Sequence, residues 1–336
     1  MSVTNIADPG QLTRDADVAL ERIAAARAEI GSVIFGQERV VDLTLATLLA
    51  GGHGLLIGVP GLAKTKLVET LGIVVGLDAL RVQFTPDLMP TDILGSEVME
   101  EGHDGKRGFR FIKGPIFAQL LMADEINRAS PRTQSALLQA MQEHHVSVAG
   151  ERHDLPHPFH VLATQNPLEQ EGTYPLPEAQ IDRFMMKVVV TYPNRDEERA
   201  ILDAMATTEP SLGVRRVVSA AQIMAARQVV NAIHVDDKIK DYIVEVVLAT
   251  RPPSAPALKL NGYVQYGASP RATISLTLAA RATAFLNGRH FVTPQDVKSI
   301  ALDVLRHRVS VSYEAEAENV TSEDVIRKIL DTLPVP

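Results

Sequence analysis

Cysteine and tryptophan are both absent from this chain of 336 residues, and aromatic side chains make up only 4% of it. Without cysteine the chain can form no disulfide bond and no thiolate metal site. Basic residues are in the minority, 33 against 41 acidic ones, and the net charge of −8 disfavours broad attraction to nucleic acid or anionic lipid. Because Met1 is followed by no basic-then-apolar leader, we expect a cytoplasmic protein.

A long uninterrupted apolar run is missing as well. The most apolar tract, residues 43–63, is broken by Gly51, Gly52, Gly54 and Pro60. This pattern predicts a helix, a turn and a buried strand, and no membrane-spanning segment. The composition, 46% hydrophobic and 22% charged, is that of a globular protein long enough for two domains.

The strongest motif is a glycine-rich loop that follows an apolar run at residues 54–57 and precedes a helical pattern. Its candidate nucleotide-binding residues are Gly58, Val59, Pro60, Gly61, Leu62, Ala63, Lys64, Thr65 and Lys66. The glycines let backbone N–H groups approach a polyphosphate, while Lys64 supplies a cation and Thr65 a magnesium ligand. The order strand, loop, helix therefore predicts nucleotide binding.

Ala63 departs from the usual form of this motif, which has glycine before the lysine. The position opens the following helix. We therefore expect ordinary right-handed backbone angles there, for which alanine is harmless.

A short apolar cluster precedes the helix that leads into the glycine-rich loop. It ends in Phe35, Gly36 and Gln37. These three residues could line the pocket of a purine base or could simply pack in the protein interior, and the sequence alone leaves both interpretations open.

Two apolar runs end in polar side chains suited to hydrolysis. Residues 119–125 end in Asp124 and Glu125, and residues 159–166 end in Asn166. At the carboxyl edge of a parallel sheet, Asp124 can hold magnesium through its water shell and Glu125 can polarise the attacking water. Asn166 can reach a γ-phosphate or the water behind it.

Arg183 lies where a short helix, residues 175–184, meets the fifth apolar strand, residues 185–192. As an alternative to a functional role, Arg183 could form an ordinary ion pair with Asp182 or Glu178.

Two segments alternate with period two and predict β-hairpins, residues 96–112 and 145–155. The first has a polar, glycine-rich tip with Lys106 and Arg107, and Phe109 and Phe111 share one face that we expect to stabilise it against the core. The hairpin could be decoration or could touch a partner.

The histidines near the second hairpin are His144, His145, His153, His157 and His160. No thiolate accompanies them and no helical spacing repeats, so we expect solvated side chains and no metal.

Beyond residue 206 the pattern is helical. Five segments with polar N-caps predict helices over residues 219–232, 236–251, 269–286, 293–308 and 321–333. Residues 252–267 are predicted to form a loop.

Arg271 lies in the first turn of its helix, where a cation interacts unfavourably with the helix dipole unless a phosphate lies in front of it.

The ordered segments GVPGLAKT, LLMADEINRA, LATQNP, PLPEAQIDRF and GASPRA resemble those of AAA+ ATPases, specifically the MoxR family. The resemblance implies that residues 58–65 are the Walker A loop, with Ala63 a usual variant, and that Asp124 and Glu125 are the Walker B pair. It also implies that Asn166 is the first sensor, Arg183 an arginine finger offered to a neighbouring subunit and Arg271 the second sensor. The two hairpins resemble the helix-2 insert and the hairpin before the first sensor.

We therefore expect an α/β core with a five-stranded parallel sheet over residues 1–206 and an all-α lid over residues 207–336, closing on ATP and Mg²⁺. The resemblance further implies a ring, expected as a hexamer, that remodels or activates a client protein, often one with a von Willebrand A domain. A nucleic-acid motor of the related helicase type is the first alternative, against which the negative charge weighs. A nucleotide-gated binding module that hydrolyses poorly is the second, against which Glu125 argues.

Overall fold

The computed structural model describes residues 9–101, 107–168, 172–208, 213–253, 260 and 262–336. The strands are β1 (Gly54–Ile57), β2 (Ala79–Gln83), β3 (Gly95–Glu101), β4 (Arg107–Lys113), β5 (Leu120–Asp124), β6 (His145–Val148), β7 (Glu151–Asp154), β8 (His160–Gln165), β9 (Met186–Val189), β10 (Val264–Tyr266) and β11 (Ser310–Val311). The helices of the first two thirds are α1 (Pro9–Gly31), α2 (Glu38–Leu49), α3 (Lys64–Val74), α4 (Pro90–Leu94), α5 (Pro131–Glu143), α6 (Glu178–Ile181) and α7 (Arg195–Met205). Those that follow are α8 (Ala220–Ala232), α9 (Asp237–Ala249), α10 (Pro270–Leu286), α11 (Pro294–Leu305), α12 (Tyr313–Ala317) and α13 (Ser322–Thr332).

Five parallel strands form the central sheet, in the order β2-β5-β8-β1-β9. This confirms the predicted sheet. The register pairs Ile57, the last residue of β1, with Gln165, the last residue of β8, while Gln83 of β2 pairs with Asp124 of β5. The glycine-rich loop, the acidic pair and Asn166 therefore all leave the sheet at one edge, which is where open parallel sheets bind ligands.

Both faces of the sheet are covered, which explains why its strands read as nearly continuous apolar runs. Alternate side chains enter different cores: Leu56 and Met122 pack with the helices that flank one face, and Leu55 and Leu121 pack with α5 on the other. Buried residues of the C-terminal helices belong to the first of these cores. The C-terminal helices are thus packed continuously with the sheet layer.

The two predicted hairpins are present, β3 with β4 and β6 with β7. The Phe111 ring stacks on His153, with 4.0 Å between ring centroids, and meets the Phe117 ring edge-on. Phe109, in contrast, is 74% exposed, so the expectation that both rings stabilise the hairpin against the core was wrong for Phe109. It lies two residues farther out, opposite Met99. Most of the predicted tip, residues 102–106 with Lys106, lies outside the described residues.

The expectation of solvated histidines was wrong for His160. This ring is fully buried, its Nδ1 lies 2.7 Å from the carbonyl oxygen of Gly52, and it stacks on the buried His53. The reason is its place inside β8, the middle strand of the sheet. Within the described ranges, no group of three or more His, Asp or Glu side chains is arranged to hold a metal ion.

The five predicted C-terminal helices are confirmed, and each N-cap side chain accepts a hydrogen bond from a first-turn N–H group. These caps are Ser219, Asp236, Ser269, Thr293 and Thr321. The prediction of a plain loop over residues 252–267 was wrong in part, because β10 pairs with β11. In the described part of the chain, no helix is both long enough and apolar enough to cross a bilayer.

Candidate active site

The glycine-rich loop joins β1 to α3 and curls around the Lys64 side chain. The Lys64 ammonium donates hydrogen bonds to the carbonyl oxygens of Gly58, at 2.6 Å, and Val59, at 2.7 Å. Burial lowers the pKa of Lys64, and the nearby carboxylates of Asp124 and Glu125 oppose that shift. The cation of the loop therefore faces the acidic pair across the crevice.

Ala63 has a left-handed backbone, with φ 53° and ψ 19°. The expectation of right-handed angles was therefore wrong. Ala63 is the N-cap of α3 and not its first helical residue, and a cap residue lies outside the helical region. For an alanine this conformation costs about 1–2 kcal/mol relative to a right-handed one.

Asp124 is buried and held by two neighbouring strands. One carboxylate oxygen accepts the hydroxyl hydrogen of Thr164 on β8, and the other accepts Arg81 of β2 through Nε, at 3.0 Å, and Nη2, at 2.6 Å. The sequence reading missed Arg81 and Thr164. Their signal was register, since each lies on a strand flanking β5, and strand order cannot be read from local pattern.

Glu125 follows the strand in a left-handed conformation, with φ 54°. Its backbone N–H donates to the Thr164 hydroxyl oxygen at 2.9 Å. Its carboxylate accepts Gln83 Nε2 at 2.7 Å and Arg128 Nη1 at 3.1 Å. A left-handed backbone tied to a buried hydroxyl thus positions Glu125 just beyond the carboxyl end of β5.

Asn166 is buried where β8 ends, and its side-chain oxygen accepts the backbone N–H of Leu168 at 3.1 Å. Arg271 lies farther along, with Nη1 3.2 Å from an Asp182 oxygen. The structure thus places Arg271 beside the segment that carries Arg183.

Arg183 is half-buried, and its side chain has no hydrogen bond or ion pair among the described residues. The alternative pairings considered for it are not formed. Asp182 accepts Arg271 and Arg308 instead, and Glu178 accepts the Ser310 hydroxyl at 2.6 Å.

Phe35, Gly36 and Gln37 lie close to the chain that follows β9. Gln37 Nε2 donates to the Thr191 carbonyl at 3.1 Å. Gly36 has φ 67°, and a Cβ atom there would lie 2.6 Å from the Glu197 carboxylate. This cluster therefore packs against the start of α7.

A groove of about 560 Å³ separates the glycine-rich loop from α7. Its lining is Pro60, Gly61, Leu62, Tyr192, Pro193, Glu198, Ile201, Leu202, Met205 and Ala206. A groove of this size beside a phosphate loop fits the base and sugar of a nucleotide. The loop with the α3 N-terminus suits the phosphates, and Thr65 and Asp124 supply the oxygen ligands that Mg²⁺ prefers.

A parallel sheet with a phosphate loop after its first strand, an acidic pair on a neighbouring strand and a C-terminal helical unit defines a P-loop nucleotide-binding protein of the AAA type. Comparison with known proteins agrees. Residues 53–186 match the ATPase family associated with various cellular activities, and residues 259–329 match the AAA lid domain.

Several relatives and a solved structure cover nearly the whole chain. The chain is 45% identical to Chaperone MoxR1 of Mycobacterium tuberculosis, over 92% of this chain and 81% of that protein. It is 33% identical to the protein MoxR of Paracoccus denitrificans, over 94% and 96%. A crystal structure of a candidate ATPase from Cytophaga hutchinsonii superimposes with a TM-score of 0.89 at 41% identity, covering 97% of this chain and 98% of that one. The chain belongs to the MoxR family of AAA+ ATPases.

Proposed function

We propose that this ATPase hydrolyses ATP to ADP and phosphate in the crevice at the carboxyl edge of the sheet. The observation that carries the proposal is the placement of the Lys64 cation opposite Asp124 and Glu125. Residues 58–65 bind the phosphates, and the cluster Phe35, Gly36 and Gln37 lies beside the base. When bound through Thr65 and Asp124, Mg²⁺ supplies charge neutralisation at the phosphates.

Glu125 orients and polarises the attacking water. Its carboxylate already has two donors, Gln83 and Arg128, which fix its direction. Asn166 positions the same water or the terminal phosphate from the next strand. Arg271 acts on that phosphate from the lid.

Two substitutions separate binding from hydrolysis. Lys64→Ala removes the cation that contacts the phosphates, so fluorescent-nucleotide affinity should fall at least tenfold. Glu125→Gln keeps the shape of the side chain and one oxygen that can accept Gln83 and Arg128, but it cannot polarise water, so it should bind ATP with unchanged affinity and lose phosphate release by about 10²–10³. Near wild-type turnover in Glu125→Gln would overturn this assignment.

The proposed active form is a ring, expected as a hexamer, in which Arg183 completes the site of a neighbour. Its support is a half-exposed guanidinium without a partner among the described residues. An arginine supplied in trans contributes about 10³–10⁵ in rate. Mixing Arg183→Ala subunits with Lys64→Ala subunits should restore part of the turnover that each variant lacks alone. Full activity of Arg183→Ala by itself would contradict the trans role.

Turnover is proposed to drive remodelling of a client protein in the cytoplasm. The name of the mycobacterial relative, a chaperone, supports this class, and the family resemblance suggests a client with a von Willebrand A domain. Because Glu125→Gln should stall with ATP bound, capture on this variant, followed by ATP-dependent release from wild type, tests the idea. Tight DNA or RNA binding at physiological salt that stimulates turnover would favour the nucleic-acid motor instead.

The core and lid are proposed to divide near residue 206, where α7 ends. Limited proteolysis between α7 and α8 should yield two fragments that stay associated, because their buried side chains share one core. Cleavage elsewhere in the described part of the chain would move the boundary.

A further inference from the structure

Arg308, just beyond α11 in the lid, is the most fully bonded buried cation at the contact between lid and sheet. Its side chain is 1% exposed. Nε donates to the Asp182 carboxylate at 2.7 Å, and Nη2 donates to the backbone carbonyls of Asp182, at 3.0 Å, and Phe184, at 2.6 Å. Nη1 donates to the carbonyls of Met185, at 3.1 Å, and Val304. A guanidinium has five N–H groups, and all of them are used.

Four of these bonds end on one short stretch of backbone and its first side chain, residues 182–185. His307 adds another, since its Nε2 lies 3.1 Å from the Phe184 carbonyl oxygen. Arg183 is inside this stretch, and the carbonyls on both sides of it are bound by the lid. The position of Arg183 is therefore set by the lid of its own subunit.

The Asp182 carboxylate also receives the second-sensor candidate. One of its oxygens accepts Arg308, and the other accepts Arg271, at 3.2 Å, and the Ser269 hydroxyl, at 3.2 Å. Ser269 is the N-cap of α10 and Arg271 lies in its first turn. Two separate lid elements thus meet on the residue next to Arg183.

We propose that Arg308 and Asp182 are positioning residues that couple the lid of one subunit to the Arg183 side chain it presents to the next subunit. The proposal rests on the proposed trans role of Arg183. When Arg271 turns toward a terminal phosphate, it leaves Asp182, and the stretch that carries Arg183 follows the lid through Arg308. The nucleotide state of one site thereby alters the rate of the adjacent one.

A merely structural role for Arg308 predicts a different defect. If Arg308 only held its own subunit together, its loss would damage the site formed by that same subunit. If it positions Arg183, the damaged site belongs to the neighbour, and an intact neighbour repairs the defect. Trans complementation distinguishes the two.

The test uses Arg308→Lys, which keeps a charge but loses the five-donor fork, and Asp182→Asn, which keeps the shape of the side chain. Each should lose at least tenfold in kcat, with nucleotide affinity changed less than twofold. Each is then mixed with an equal amount of Lys64→Ala subunits. In a ring, each site is then active only where a subunit with an intact Lys64 faces a neighbour with an intact Arg308 and Asp182. Half of the subunits meet each condition, so random mixing should restore about a quarter of wild-type turnover.

Arg306→Lys is the matched control. Arg306 directly follows α11 and its side chain is nearly buried, but its carboxylate partners, Asp303 and Glu323, are both in the lid. This variant should lower thermal stability without the loss of kcat and without any gain on mixing.

The outcomes separate this inference from the proposed function. If Arg183→Ala is rescued by Lys64→Ala but neither Arg308→Lys nor Asp182→Asn is, the coupling is overturned and the trans role of Arg183 stands. Wild-type kcat in both variants overturns it equally. If Arg183→Ala is not rescued, the trans role fails and the coupling fails with it. If Arg308→Lys does not assemble, Asp182→Asn decides.

Discussion

Ala63 and Glu125 are non-glycine residues held with positive φ on opposite sides of the candidate site. Each lies at the boundary of an element, Ala63 as the N-cap of α3 and Glu125 directly after β5. Backbone strain at such positions is maintained by the surrounding contacts, here the fixed loop around Lys64 and the Thr164 hydroxyl below Glu125.

The strain at Ala63 leads to a prediction about stability. Ala63→Gly removes the steric cost of a left-handed alanine but adds freedom to the unfolded chain, so it should raise the free energy of unfolding by about 0.5–1 kcal/mol. Urea unfolding measures this. Ala225→Gly, at an exposed position inside α8, should lower the same quantity by about as much. A destabilised Ala63→Gly would show that the left-handed angle is not strained.

The first hairpin shows how an element can follow its sequence pattern while its side chains serve different ends. Alternation placed Phe109 and Phe111 on one face, and the pairing of β3 with β4 agrees. What separates them is whether another element lies beneath. Phe111 meets His153 and Phe117, whereas Phe109 and Met99 remain exposed. The ion pair of Arg110 with Glu100 lies on the opposite face of the hairpin.

Matched alanine substitutions should separate the two rings. Phe111→Ala removes a stacked, half-buried ring and should lower the free energy of unfolding by about 1–3 kcal/mol. Phe109→Ala should change it by less than about 0.5 kcal/mol, since surface substitutions rarely do more. Thermal unfolding of both variants measures the difference. Equal stability losses would contradict the packing.

At the scale of the whole molecule, two buried histidines, His53 and His160, make the free energy of unfolding depend on pH in the acid range. Burial lowers the pKa of His53 from 6.5 to about 4, helped by His144 and Arg227, and burial lowers the pKa of His160 well below its usual range. Below pH 6.5 the unfolded chain therefore takes up protons that the folded chain refuses. The contribution of these two histidines to the free energy of unfolding is therefore fully present above pH 6.5 and is lost as the pH falls toward 4.

We accordingly expect the urea midpoint to fall steadily from pH 6.5 to pH 4. His53 alone should contribute roughly 3 kcal/mol to that loss, at about 1.4 kcal/mol per unit of pKa shift. His53→Gln retains one donor for the Met141 carbonyl and one acceptor for the Val161 N–H, so it should flatten the profile. His290→Gln, on the exposed surface, is the control. An unchanged slope in His53→Gln would place the acid sensitivity elsewhere.

Local sequence determined much of this protein. Glycine and lysine spacing identified the loop at residues 58–65, polar caps identified the five C-terminal helices, and apolar runs identified the five core strands. These features depend on contacts within a few residues, which is why they can be read in order along the chain. The roles assigned to the site residues stay predictions; that of Asn166 came from its place at a strand end, and those of Arg183 and Arg271 came from resemblance.

Tertiary structure decided what depends on strand order and on packing between distant segments. Only the order β2-β5-β8-β1-β9 brings Arg81 and Thr164 onto Asp124, and only the burial of β8 makes His160 a neutral core residue. The contact of Arg308 with residues 182–185 belongs here too, because residues more than a hundred positions apart carry no local signal that they will meet.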